Sequence, residues 1–519
     1  MRGIVLGWAL FAIACGGGGG SGDGGGDGAT TPDALPPRGL ALGITQDLVG
    51  VGPGDRLELT LTITRGSDLH GDATITVSGL PDGVTADPLT AGSARTEVQL
   101  YLNADETAVA GTRATATIEG VVDGVTASTP LDLVVAGAPG TADGSFGTDG
   151  IVTTTAGRIP TDLFQSGGTI VVGGYAGDGS GAFLTGLGED GAPAGGFQEF
   201  TSRFASPAAN VTQARFAQRP GGGGYIAVAI ISGDVWIAGV RADGGADATR
   251  PPVLLLDATG SFELGTVQVR SDDIVWIGGN VDGTAVLVEV PAGAEGSATT
   301  HRLTELGNAT VVQLADDASR RTHLLARPPS GISPGGLSTP VVARLTSERE
   351  IDGTYGLVGL PAGVDTTALA HGLTFDPSGR LLVAGGAVAA LPGDGGGDAV
   401  AWRLTSDGAL DPGFSADGRF QQGTADSHEE MSWSIPGRGN RVYLVGEISA
   451  GALPEAGART LFMAVDDLGR LDGGFGTGGA AAVGVELAPR AVLLQSAARL
   501  LVAGVQASTG QLVLARTWL

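Results

Sequence analysis

Short runs in which apolar and polar residues alternate make up most of residues 38–137. Examples are LELTLTI from Leu57 and EVQLYL from Glu97. An alternation with a period of two places one set of side chains on one face of a β-strand, and turn residues separate the runs. The pattern therefore predicts an antiparallel β-sandwich of about one hundred residues.

The turn GLPDGV at residues 79–84 separates two of these runs. It is typical of bacterial immunoglobulin-like domains, which residues 38–137 resemble. The region has no Cys-Trp-Cys core of the kind found in antibody domains. We interpret this domain as a passive spacer, and ligand binding through the loops at the ends of the sandwich is the alternative.

A second pattern recurs through residues 141–519. An aspartate is followed three residues later by an aromatic residue and seven residues later by a glycine. The last three of the four clear copies lie 59 and 61 residues apart. These copies begin at Asp143, Asp352, Asp411 and Asp472, and we place degenerate copies near Phe197 and Phe262.

An apolar phrase that ends in glycine, such as LVAG, accompanies the first pattern, and with the degenerate LLAR at 324–327 it gives seven units. Each unit contains four short apolar strands, and a lone four-stranded sheet cannot bury both of its faces, so the units must stack. The sequence therefore predicts an all-β chain with a seven-bladed β-propeller after the sandwich, and a solenoid is the alternative. The phrase ends at or beside Gly174, Gly239, Gly279, Gly386, Gly446 and Gly504.

The recurring residues have structural roles in such an array. We expect the phrase-ending glycine to let neighbouring backbones approach closely near the propeller axis. The aromatic residue is expected to pack between blades, and the aspartate to cap a turn by accepting hydrogen bonds from nearby backbone N–H groups.

Residues 376–404 and 407–420 carry the clearest unit, with DPSGRLLVAG from Asp376 and AWRL from Ala401. They resemble the delta-60 repeat of bacterial surface proteins. The resemblance is clear in the last three units and faint in the middle ones. It implies a β-propeller-like array, and it brings no catalytic residues that could be transferred to this chain.

Residues 1–14 have the composition of an export signal. Arg2 precedes an apolar run at 4–14 that is too short to span a bilayer and ends in AIA before Cys15, the only cysteine. AIAC resembles a bacterial lipobox, which implies that Cys15 is acylated after cleavage; ordinary secretory cleavage is the alternative. Residues 15–37 form a glycine-rich tether. Gly16 replaces the aspartate that retains lipoproteins at the inner membrane, so we expect lipid anchoring at the outer membrane or cell surface.

Composition and charge exclude several function classes. The chain has 29 basic residues, none of them lysine, against 55 acidic residues, for a net charge of −26. This balance excludes a basic nucleic-acid footprint and polybasic attachment to anionic lipid. A single cysteine excludes a disulfide framework. The 92 glycines disfavour helices throughout.

Candidate chemistry is sparse. GISPG at 331–335 matches the nucleophile-elbow pattern, but the neighbouring prolines forbid its strand-to-helix turn. The five histidines share no metal-ligand spacing. His371 and the sequence from His428 to Glu430 lie near the starts of equivalent repeats, so they could share one rim of the propeller. We interpret them as a solvated polar edge, and a shared metal or acid–base site is the alternative. Three aspartates in glycine-rich loops are interpreted as turn residues, with Ca²⁺ binding as the alternative: Asp178, Asp394 and Asp398.

These observations predict a lipid-anchored surface protein that is not an enzyme and needs no metal or cofactor. The propeller would present its long loops for binding a protein or a carbohydrate. A hydrolase or lyase with a site in the central funnel, which would use His371, His428 and Glu429, is one alternative, and a purely structural stalk is another. The long loops are residues 175–181, 327–339, 387–398 and 449–458.

Overall fold

The computed structural model describes residues 38–44, 48–202, 204, 210–257, 262–293, 296–329, 339–362, 366–389, 397–423, 427–437, 440–450, 457–495 and 499–519. Within these ranges the chain is all-β, apart from two 3-10 helices at Pro220–Gly222 and Thr304–Leu306. None of the helices in this part of the chain is long and apolar enough to cross a membrane. The main boundary between two compact units falls between Ala138 and Pro139.

The first unit consists of two sheets that enclose one core. Their strand orders are β1-β3-β7-β5 and β2-β9-β8-β4-β6, and only β2 and β9 pair in parallel among the described strands. Leu59 and Leu61 of β3 face Leu131 and Leu133 of β9 across the core, so the alternation gives the β-sandwich it predicts. The strands are Leu40–Ile44 (β1), Leu48–Val51 (β2), Arg56–Arg65 (β3), Ala73–Ser78 (β4), Val84–Ala86 (β5), Leu89–Ala91 (β6), Glu97–Ala104 (β7), Arg113–Val122 (β8) and Val125–Val135 (β9).

The second unit consists of four-stranded antiparallel sheets, of which the described residues form seven. Sheets 1 to 3 comprise Arg158–Ser166 (β11), Thr169–Ala176 (β12), Ala182–Gly188 (β13) and Phe200–Ser202 (β14); Val211–Gln218 (β15), Tyr225–Ile231 (β16), Asp234–Val240 (β17) and Val253–Leu256 (β18); and Phe262–Val269 (β19), Val275–Val281 (β20), Thr284–Val290 (β21) and Thr299–Arg302 (β22).

Sheets 4 to 6 follow the same order along the chain, whereas sheet 7 combines the last three strands with β10, Ile151–Ala156, from the start of the unit. Sheets 4 to 7 comprise Thr310–Asp316 (β23), Thr322–Arg327 (β24), Val341–Arg344 (β25) and Leu357–Gly359 (β26); Thr366–Phe375 (β27), Leu381–Ala389 (β28), Asp398–Leu404 (β29) and Arg419–Gln422 (β30); Ser427–Pro436 (β31), Val442–Ala450 (β32), Arg459–Val465 (β33) and Ala480–Ala482 (β34); and Ala488–Gln495 (β35), Arg499–Gln506 (β36) and Gln511–Trp518 (β37).

Each sheet packs face to face on the next through an apolar cluster. Val171 of sheet 1 packs with Phe216 of sheet 2, and corresponding clusters join every later pair of sheets. A last cluster returns to the start, because Leu514 of sheet 7 packs with Leu163 and Val172 of sheet 1. The sheets therefore close into a ring, which is the arrangement of a β-propeller.

The recurring aspartate and aromatic residue meet a buried arginine that the sequence analysis did not identify. Asp411 accepts a hydrogen bond from the Gly413 N–H at 2.9 Å, and Arg403 Nε donates to its second oxygen at 2.7 Å. The Arg403 guanidinium lies 4.6 Å from the ring centre of Phe414, which is buried between sheets 5 and 6. The expected roles of the aspartate and the aromatic residue are thus confirmed, and the arginine of the third strand completes the unit. The same combination occurs at Asp352, Arg344 and Tyr355, and at Asp143, Arg516 and Phe146.

Two assignments of the repeat were wrong. The apolar phrase that ends at Gly239 lies on β17, the third strand of its sheet, rather than on the second strand. A short run of apolar residues followed by glycine does not distinguish these two strands. Phe262 begins the first strand β19 rather than filling the aromatic position. The turn copy of sheet 2 instead begins at Asp247, which accepts a hydrogen bond from Thr249 N–H at 2.9 Å and has Arg250 in place of the aromatic residue.

Candidate functional site

The first strands of the seven sheets surround a cavity of about 590 Å³, which we call the central channel. Each of these strands contributes lining residues. The wall therefore brings together side chains that are far apart in the sequence. A concave site with a few convergent polar groups is where ligand binding is usually found.

Glycines of the second strands allow the first strands to bulge. A Cβ at Gly446 would lie 1.9 Å from the Glu430 carbonyl oxygen, and one at Gly385 would lie 1.8 Å from that of Leu369. This confirms the close approach expected from the sequence. A bulge turns a side chain out of the regular alternation, and His371, a bulge residue, lines the channel. The bulge residues of six first strands are Thr161, Thr212, Gly265, Val312, His371 and Ser432.

A continuous series of polar contacts, which we call the channel chain, connects sheets 3, 4, 5 and 6. Arg327 Nη2 lies 3.8 Å from Glu263 Oε1, and Arg327 Nη1 lies 3.3 Å from His371 Nδ1. His371 Nε2 contacts one carboxylate oxygen of Glu430. His428 Nε2 lies 3.3 Å from the other oxygen of Glu430. Two imidazoles therefore share one carboxylate.

The partners of the two imidazoles define their tautomers. A guanidinium can only donate hydrogen bonds, so Nδ1 of His371 accepts from Arg327 and its proton lies on Nε2, facing Glu430. The Gly397 N–H donates to His428 Nδ1 at 3.0 Å, which assigns the same tautomer to His428. Glu430 thus faces an N–H group on each side.

The electrostatics of the channel chain keep Glu430 ionised. Burial opposes its ionisation, but His371 and His428 outweigh burial and lower the pKa of Glu430 to about 2. The Glu430 carboxylate in turn raises the pKa of His428 against the effect of burial. Burial, and then the negative charge of Glu430, raise the pKa of the neighbouring Glu447.

Polar side chains that follow the bulges tie adjacent first strands together. Asp162 accepts a hydrogen bond from the Phe216 N–H at 2.8 Å and lies 3.5 Å from Arg215 Nη1. Burial raises the pKa of Asp162, and Arg215 partly offsets this effect. Gln213 and Gln313 each accept from a backbone N–H of the next sheet at 3.0 Å. These groups maintain the spacing of the sheets around the channel.

The long loops and the channel chain lie at the same end of the propeller. In four sheets a long loop joins the second strand to the third, at the end where the first strands begin. Gly397, the last residue before β29, donates to His428 near the start of β31. The described end of the loop before β29 therefore lies beside the channel chain.

Sequence reasoning identified the two histidines but favoured the wrong environment for His428. A solvated edge is excluded for His428, which is 2% exposed, and Glu430 links it to His371. Glu429 is also buried, but it accepts a hydrogen bond from Ser427 and is not part of the channel chain. The sequence analysis assigned no role to Glu263, which lies at the start of the first strand β19, or to Arg327, which ends the second strand β24.

Several other candidates do not join the channel. His323 is buried between the rings of Tyr355 and Phe375. Asp178 accepts from the Ser180 N–H at 2.8 Å, as a turn residue does. In the described ranges no group of three or more His, Cys, Asp or Glu side chains is placed to hold a metal ion. Cys15, Asp394 and the GISPG sequence at 331–335 lie outside the described residues.

No protein-family model and no curated protein sequence matches the chain. Among solved structures, the Dos1 propeller is 9% identical with a TM-score of 0.39, over 71% of this chain and 94% of its own. A quinoprotein alcohol dehydrogenase-like protein from Bacteroides thetaiotaomicron is 8% identical with a TM-score of 0.35, over 84% of this chain and 94% of its own. A glucose dehydrogenase is 11% identical with a TM-score of 0.34, over 70% of this chain and 98% of its own.

The expectation that this protein is not an enzyme is wrong as a conclusion from its architecture. Two of the similar propellers are described as dehydrogenase-like or as a dehydrogenase, and a fold does not by itself decide whether a protein is catalytic. Their identities of 8% and 11% transfer no residue role or substrate to this chain.

Proposed function

We propose that this protein is an exported, lipid-anchored surface protein whose propeller binds a polar ligand, either a glycan or a segment of a protein. The ligand would enter from the face of the long loops and reach the channel mouth. The observation that carries this proposal is the channel chain, in which titratable side chains from four sheets meet beside a cavity of about 590 Å³. Groups of this kind provide specificity in a concave site.

The architecture we propose has finer detail. Each four-stranded sheet is one blade, so the propeller has seven blades, and residues 141–519 consist of delta-60-type repeats. The seven sheets and the seven apolar clusters between them support this count. Residues 38–137 form an immunoglobulin-like spacer, for which the two-sheet core is the support. Residues 15–37 tether it to the membrane.

Lipid anchoring is tested by labelling bacterial cells that express the full chain with radioactive palmitate. We expect label on the protein and recovery in the outer-membrane fraction, both lost in Cys15→Ser. If the unaltered protein is released without label, it is an ordinary secreted protein and the lipid anchor is wrong.

Ligand binding is tested on an immobilised panel of neutral and acidic oligosaccharides and peptides. We expect saturable binding that falls at least tenfold in Arg327→Gln, because the guanidinium is a third exposed in the channel. Arg470→Gln is the matched control, since Arg470 is 68% exposed in a turn of sheet 6. Binding that Arg327→Gln does not change would place the ligand elsewhere, and no binding at all would favour the structural stalk.

One observation favours acid–base catalysis on the bound ligand as a second candidate. His371 lines the channel with its Nε2 beside Glu430, which is the arrangement in which a carboxylate orients a general base, and a ligand would have to displace Arg327 from Nδ1 to use that nitrogen as the base. The test is product formation from each bound oligosaccharide, followed by mass spectrometry. Turnover that is lost in His371→Gln while binding remains would support catalysis, and an unchanged ligand would exclude it.

A further inference from the structure

Three arginines from different sheets line the central channel, and two of them, Arg327 and Arg490, make no close ion pair with a described carboxylate. Arg215 lies 3.5 Å from Asp162 and also donates to the Thr161 carbonyl at 2.9 Å. Arg327 reaches its nearest carboxylate, Glu263, only at 3.8 Å. Arg490 is exposed in the same wall. Its charge acts on Glu447 and opposes the rise in the pKa of that carboxyl group, but no ion pair joins Arg490 to a residue that the structure describes.

The buried arginines of the recurring unit are held much more tightly than the arginines of the channel. Arg403 donates to Asp411 at 2.7 Å, and Arg344 lies 2.6 Å from Asp352. Although the chain has a net charge of −26, Arg327 approaches a carboxylate only at 3.8 Å, and no ion pair joins Arg490 to a described residue. Cations in a concave site focus the electrostatic field and attract anions.

The remaining wall suits a small ligand with an apolar face. The partly exposed rings of Trp433, Phe164 and Tyr175 line the channel beside the polar groups. His371 also lines the channel, and its Nδ1 lies 3.3 Å from Arg327 Nη1. Guanidinium groups bind planar carboxylates through paired hydrogen bonds, whereas a neutral hydroxyl offers no such partner.

We propose that the central channel binds a small carboxylate-bearing ligand, whose carboxylate pairs with Arg327 and Arg490. This inference rests on the proposed ligand binding in the channel and specifies the class of ligand. The bound carboxylate takes the place of Glu263 as the main partner of Arg327 and gives Arg490 an ion pair at hydrogen-bond distance.

Calorimetric titration of the full chain with sodium glucuronate and with glucose tests this inference, because the two sugars differ only in the carboxylate. Sodium succinate serves as a carboxylate without a ring. We expect glucuronate to bind at least tenfold more tightly than glucose, and this preference to weaken as salt rises from about 50 to about 300 mM. Arg490→Gln is expected to reduce glucuronate affinity at least tenfold, and the control Arg470→Gln to leave it unchanged.

Each outcome bears on the proposal. Equal affinity for glucuronate and glucose overturns the carboxylate inference while ligand binding in the channel stands. Binding of neither carboxylate overturns it as well, and the oligosaccharide panel then shows whether the channel binds anything. Glucuronate affinity that is unchanged in both Arg490→Gln and Arg327→Gln would place the anion outside the channel and would also overturn the carboxylate inference. Arg490→Lys, which keeps the charge but not the paired donors, is expected to bind with intermediate affinity and controls for folding.

Discussion

The glycine that permits the bulge beside Glu430 offers the most direct test of how the channel is built. In Gly446→Ala the new Cβ would lie 1.9 Å from the Glu430 carbonyl oxygen and 2.6 Å from the Met431 Cα. Both neighbours are backbone atoms, so no side-chain rotation can relieve the overlap. The first and second strands of sheet 6 must separate.

The size of the effect follows from these distances. An ordinary carbon–oxygen contact is about 3.5 Å, so the backbones must move apart by roughly 1.6 Å from the distance given for Gly446. Forcing extra volume into a packed site costs about 1–3 kcal/mol, and a strand hydrogen bond lost at the bulge costs about 1 kcal/mol. The lower entropy of the unfolded alanine chain returns up to about 1 kcal/mol. We expect a net destabilisation of about 3 kcal/mol.

Urea unfolding of the propeller, followed by far-ultraviolet circular dichroism, measures this change. Gly473→Ala is the matched control, because it changes the same sheet at a position where a Cβ would meet no atom within 4 Å. We expect its free energy of unfolding to stay within about 0.5 kcal/mol of the unaltered protein. If Gly446→Ala were as stable as this control, the bulge would not depend on the glycine, and our account of how His371 and Glu430 are presented would be wrong.

Three further predictions concern buried charge. Arg403→Lys should cost about 2–3 kcal/mol of unfolding free energy in urea, because lysine cannot keep the contacts with Asp411 and Asp467 together with the aromatic stacking. The exposed Arg470→Lys should cost less than about 0.5 kcal/mol. The pKa of Glu430 is lowered from 4.5 to about 2, so its ionised carboxylate contributes about 3 kcal/mol to folding stability above pH 4.5, and this contribution is lost as the pH falls towards 2. A Glu430→Gln variant should lack this part of the dependence of stability on pH. Equal pH dependence of the unfolding free energy in both proteins would refute the pairing of Glu430 with the two histidines. Burial lowers the pKa of His323, so the unfolded chain binds this proton more readily and folding stability falls as the pH drops below 6.5. His323→Phe should make the unfolding free energy less dependent on pH between pH 7 and 5. An unchanged pH dependence would show that His323 is not the cause.

The sequence alone determined the local elements and their repetition. The alternation along β3 predicted which of its side chains face the core of the sandwich, because successive side chains of a strand point to opposite faces and only the apolar set is buried from water. The aspartate, aromatic residue and glycine of each unit marked turns and close contacts, because their backbone and hydrogen-bonding requirements are local. The same local character caused the error at Gly239, where the letters match but the strand differs.

Only the tertiary structure decided which side chains meet. Glu263, Arg327, His371 and Glu430 belong to four different units, and no spacing along the chain relates them. Closing the sheets into a ring brings their first strands to one axis, and the bulge at His371 directs its ring into the channel. Burial and two neighbouring imidazoles then determine the charge of Glu430. Pattern in the sequence reports which face of a strand is buried, whereas contacts across the axis depend on ring closure and the packing of all units together.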